Sequence, residues 1–89
     1  MDAPFQVWIG NIPSYLVEES ALHELALCDV RPYKLVLRAR GESRDSYAIA
    51  YFATAALAAH CMREDIVFSN RSRALCRSVS IHVLLLQPC

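Results

Sequence analysis

Among the side chains of this 89-residue chain, four cysteines and three histidines could act as nucleophile, base or metal ligand. Cys28, Cys61, Cys76 and Cys89 are widely and unevenly spaced, with no C-x-x-C pair, so the spacing suggests neither a zinc ribbon nor a disulfide framework. They read as reduced thiols, Cys61 in the core and Cys76 in a loop, with no second Cys or His three or four residues from either. His60 and Cys61 are adjacent, but neighbouring residues on a helix point in different directions and do not make a nucleophile–base contact. His23, His60 and His82 are scattered and read as surface or packing residues, and the chain has no Gly-rich phosphate loop. The expectation is a protein that is not an enzyme and holds neither cofactor nor metal.

A second chemistry is open to the aromatic and basic residues, because flat rings stack on unpaired bases while cations hold phosphates. Eight of the nine basic residues are Arg, the side chain suited to bidentate phosphate contact and to stacking. Nine acidic residues balance them, so the net charge is zero and any nucleic-acid affinity must come from local patches.

Eighty-nine residues suffice for one domain, here with a core over about 5–84 and a tail at 85–89. At 55% hydrophobic the chain is expected to fold as a compact unit. It carries no charged-then-apolar leader pattern, and its apolar runs are shorter than the ~20 residues that span a bilayer. The expected setting is intracellular, in nucleus or cytoplasm with the nucleus preferred, and without a membrane.

Six elements must position the aromatic and basic groups. Residues 5–10, rich in aromatic and β-branched types, read as β1, closed by the turn signal Gly10-Asn11-Ile12-Pro13. Residues 18–28 place Ala21, Leu22, Leu25 and Ala26 on one face and open with acids, the pattern of an amphipathic helix α1 that ends near Asp29. Pro32 stops the helix, and 33–39 alternates with a period of two as β2. A polar loop leads to the alternating run 46–52, β3, forming a hairpin with β2. Thr54 can cap the Ala-rich segment 55–63 as α2. After a polar loop holding Asn70, Arg71, Ser72, Arg73, Arg77 and Ser78, the alternation of Val79, Ile81 and Val83 against Ser80, His82 and Leu84 reads as β4.

The order βαββαβ predicts an α+β, ferredoxin-like sandwich: a four-stranded antiparallel sheet in the order 4-1-3-2 with two helices on one face. With alternate residues on opposite faces, Val7, Ile9, Leu35, Leu37, Ala48, Ala50, Phe52, Val79, Ile81 and Val83 are expected to meet the helices. Trp8, Lys34, Val36, Arg38, Tyr47, Ile49, Tyr51, Ser80 and His82 then share the open face.

From 5 to 84 the chain resembles the RNA-recognition-motif (RRM) family. Val7-Trp8-Ile9-Gly10-Asn11-Ile12-Pro13 matches the family's RNP hexamer and the proline that commonly follows it. The RNP octamer falls on Asp45-Ser46-Tyr47-Ala48-Ile49-Ala50-Tyr51-Phe52, matching at Tyr47, Ala48 and Phe52. Asp45 stands where the consensus is basic, Ser46 where it has glycine and Ile49 where it has a second stacking aromatic. Arg77 looks like the usual lead into β4. The resemblance implies single-stranded RNA binding on the open face with modest affinity. Trp8 and Tyr47 would be the stacking platforms, Ile49 would lie beside them, and Lys34, Arg38, Arg40, Arg44 and His82 would flank them.

The rival reading is an RRM that binds a protein. The departures in the octamer, the zero net charge, the acids Glu18, Glu19 and Glu24 on α1, and an apolar surface at Val36, Ile49 and Tyr51 point that way. Arg73-Ala74-Leu75 stands where the UHM-type subclass carries Arg-x-Phe, but Leu75 is not aromatic. The apolar tail 84–89 fits a segment packed across the sheet, a homodimer contact or the cut end of a longer protein. Acylphosphatase-like proteins share the element order but need an Arg in the first loop, and 11–15 has none.

Overall fold

The structure is a computed structural model that describes residues 5–40 and 45–79. Its elements run β1 (Phe5–Ile12), α1 (Glu18–Leu27), β2 (Lys34–Arg38), β3 (Ser46–Phe52), α2 (Ala55–Arg63) and β4 (Leu75–Val79). The four strands form one antiparallel sheet in the order β2-β3-β1-β4, which from the other edge reads 4-1-3-2. The architecture is therefore α+β, with an open antiparallel sheet and two helices.

Alternation along the strands sorts residues between the faces. Val7, Ile9, Leu35, Ala48, Ala50 and Phe52 are buried together with Ala21 and Leu25 of α1 and Cys61 of α2. Helix residues thus share one apolar cluster with one set of strand residues, so both helices cover the same side of the sheet. Small residues at 48 and 50 let the helices approach, and Phe52 fills the space at the end of β3.

Local chemistry explains the helix ends. Glu18 and Glu19 in the first turn of α1 complement its dipole, and Ser20 Oγ accepts from the Val17 N–H at 3.0 Å. Its C-terminal turn closes through Asp29, whose φ of 63° lies in the left-handed region, with the Val30 N–H donating to Leu25 O at 2.9 Å. Thr54 caps α2 as expected, its hydroxyl accepting from the Leu57 N–H at 3.1 Å.

Three sequence readings are corrected. Gly10-Asn11 does not end β1. The register moves from Ile9↔Ala48 to Ile12↔Ser46, so β1 carries one extra residue there, a bulge, with Asn11 at φ 62°. A left-handed residue that usually marks a turn is absorbed within the strand.

The second correction concerns β4, which lies at Leu75–Val79 and not at the apolar alternation beyond it. Pairing runs from Gly10↔Leu75 to Gln6↔Val79, so Leu75, Arg77 and Val79 share the open face while Cys76 and Ser78 share the helix side. Val79 is therefore not a helix-facing residue, and Cys76 is a strand thiol and not a loop thiol. Ser80, Ile81, His82, Val83 and the tail lie outside the described residues. Backbone pairing to β1 decides the register of this edge strand, and its own side chains are too mixed in polarity to reveal it.

The third correction is the connection between α2 and β4, which is more than polar loop. Ile66 and Phe68 are buried in the core, and the chain doubles back there through Phe68 N–H to Ser72 O (2.9 Å) and Ala74 N–H to Ile66 O (3.0 Å). Arg71, at φ 72°, makes the turn.

Candidate nucleic-acid interface

Directly paired residues of antiparallel strands share a face, so the register places the open-face residues in rows. One row runs Lys34, Tyr51, Gln6, Val79; the next runs Val36, Ile49, Trp8, Arg77. Arg38 pairs with Tyr47 at one end, where Gly10 and Leu75 also lie.

Trp8 and Tyr47 are diagonal neighbours across the β1–β3 pair, and their rings stack with centroids 6.1 Å apart and planes 24° from parallel. This is within the range of favourable aromatic pairs. Both residues are half-buried. The indole extends along the sheet over Gly10, where a Cβ would come within 2.3 Å of the indole Cη2. Absence of a side chain at 10 leaves the space that the ring occupies. On the other flank, the Arg77 guanidinium stands 5.7 Å from the indole centroid, a cation–π distance.

A second aromatic group occupies the β2 side. The Tyr33 and Tyr51 rings lie 6.4 Å apart at 51°, and Lys34 Nζ is 5.3 Å from the Tyr51 centroid. Ile49 and Val36, both half-buried, lie between the two groups.

Electrostatics sharpen the picture that zero net charge obscured. None of the four strands contains an acidic residue, whereas their open-face positions carry Lys34, Arg38 and Arg77, all exposed. The carboxylates of the described chain stand on helices and loops. Two of the three acids on α1 are engaged within the fold: Glu18 accepts from the Leu37 N–H of edge strand β2, and Glu24 from the Ser69 N–H and hydroxyl at 2.8 and 2.5 Å. Those contacts give Glu18 and Glu24 a structural role that the partner-binding reading of an acidic helix had not included.

Of the residues expected at the interface, Trp8, Tyr47, Ile49, Lys34 and Arg38 share the open face. Arg40 is exposed beyond the end of β2, and Arg44 and His82 lie outside the described residues. Arg73 is turned to Asp65, its Nη1 2.9 Å from both carboxylate oxygens. Sequence reasoning missed Gly10 as the floor under Trp8, Tyr33 as a partner of Tyr51, and Arg77 as a strand residue. No local signal marked the last, because Leu75, Arg77 and Val79 mix apolar and charged types on one face.

Behind the sheet, Cys61 and Cys76 form a thiol pair. Interaction between the two thiols, together with burial, pushes the Cys61 thiol far up, while the same interaction brings Cys76 down. His60 Nε2 lies 3.0 Å from Asp29 O, tying α2 to the end of α1. Among the described residues no group of three or more His, Cys, Asp or Glu is placed to hold a metal, and no helix is long and apolar enough to cross a membrane.

No protein-family model matches the chain, and comparisons with curated proteins and with solved structures find no match either.

Proposed function

We propose that the chain is an RRM-like module of ferredoxin-like topology that binds single-stranded RNA on the open face of its sheet. The observation that carries this reading is the Trp8–Tyr47 stack, with the indole seated against Gly10 and flanked by Arg77. Flat π-faces receive unstacked bases, and cations beside them receive the phosphates that connect those bases. A carboxylate-free set of strands supports the same reading, because it makes this face cationic on a neutral protein. The role implies an intracellular protein, in nucleus or cytoplasm.

The test is an NMR titration of the labelled protein with short random-sequence single-stranded RNA, alongside a Trp8→Ala variant. Saturable shifts centred on Trp8, Tyr47, Ile49 and Arg77, lost in the variant, are the expected result. A sheet face unperturbed at millimolar RNA would overturn the proposal and turn the search to a protein partner.

A further inference from the structure

The second aromatic group is hard to account for by packing alone. Tyr33 is 60% exposed although its backbone is held firmly, its N–H donating to Tyr51 O at 2.9 Å. Its ring leans on Tyr51, itself half-buried, on the open face, and Lys34 stands over the Tyr51 ring. Neither tyrosine belongs to the apolar core. The arrangement repeats the chemistry at Trp8: two rings in contact, a cation over one of them, and no acid on the four strands.

We propose that Tyr33, Tyr51 and Lys34 form a second stacking subsite, which takes a further base of the strand held at Trp8 and Tyr47, with Lys34 on the adjoining phosphate. This rests on the RNA-binding reading above. Tyr47 and Tyr51 are four residues apart on β3, roughly 13 Å at the rise of a β-strand. A stacked strand advances about 3.4 Å per nucleotide, so the two subsites are separated by roughly four such steps, fewer if the strand is extended. Ile49, between them, offers an apolar surface without a ring. The consequence is a dependence on length: a dinucleotide reaches one subsite, and a hexanucleotide reaches both.

The experiment compares random-sequence dinucleotide and hexanucleotide RNA on the wild-type chain, on Tyr33→Ala and Tyr51→Ala, and on Tyr51→Phe, which keeps the ring. In the wild type the hexanucleotide should shift the Tyr33 and Tyr51 ring resonances, and the dinucleotide should shift those of Trp8 and Tyr47. Each alanine variant should weaken hexanucleotide binding by about fivefold or more, while Tyr51→Phe retains it. Dinucleotide shifts at Trp8 in the Tyr33→Ala variant also serve as the check that the sheet is intact, since that exposed side chain can be removed without opening the core. Unchanged hexanucleotide affinity in both alanine variants would overturn the second subsite while leaving RNA binding at Trp8 standing. Failure of the wild type to bind either RNA would overturn both.

Discussion

The indole of Trp8 lies on the backbone of Gly10, so closely that a methyl group at position 10 would come within 2.3 and 2.6 Å of two ring carbons. Residues two apart on a strand point to the same face, and here the second has no side chain, which leaves the space the indole occupies. The bulge that follows places Tyr47 opposite this point, and the two rings meet there. Gly10→Ala should therefore leave the core intact but lift the indole off the sheet and away from Tyr47. Loss of the mutual ring-current shifts by NMR would show the displacement, and RNA affinity should fall about fivefold, part of the ~1–3 kcal/mol that a stacked base contributes. Unchanged ring-current shifts would mean that the indole does not depend on this glycine.

Much of this was legible from residue order. Strict alternation over 46–52 placed β3 on its observed boundaries, and Thr54 before an Ala-rich run placed α2 on its own, because both signals are local. Trp8 and Tyr47 could be put on one face by parity alone. What was not legible depends on partners distant in the chain. Arg77 and Ser78 blur the pattern of β4, whose position is set by pairing with β1. Asn11 signals a turn locally, yet the sheet on either side carries it as a bulge. Ile66 and Phe68 sit in a stretch with no period, and only the closing of the fold buries them.

That last point can be measured. Phe68 is 3% exposed and packs in the same cluster as Val7 and Leu25, so Phe68→Ala should cost about 3–5 kcal/mol, the range for truncating a buried aromatic. Were the segment a solvated loop, the change would fall within ~0.5 kcal/mol. Urea denaturation of the two proteins separates these outcomes.

The thiol pair makes a prediction of a different kind. Cys61 is buried and its thiol is pushed up, whereas Cys76 is only partly buried and its interaction with Cys61 favours its thiolate. The thiolate is the reactive form, so iodoacetamide on the folded protein at mildly alkaline pH should modify Cys76 ahead of Cys61. Peptide mass spectrometry over a time course reads the order. Equal rates below the unfolding transition would show that the pair does not hold its proton on Cys61.

Arg77 tests whether the interface is electrostatic as well as aromatic. Its guanidinium stands over Trp8 and is exposed, so it can meet a phosphate while the indole stacks on the neighbouring base. Arg77→Gln removes one charge from a face whose other strand cations are Lys34 and Arg38. Each phosphate contact with single-stranded nucleic acid contributes about 0.7 to the slope of log affinity against log salt. The variant should therefore bind RNA more weakly at low salt and lose roughly that much of the slope, so that the two proteins converge as salt is raised. Trp8→Ala, in contrast, should weaken binding by a similar factor at every salt concentration, because stacking does not depend on counterion release. Parallel salt dependences for wild type and Arg77→Gln would mean that Arg77 supports the indole without touching the phosphate, and measuring affinity at three salt concentrations is enough to tell.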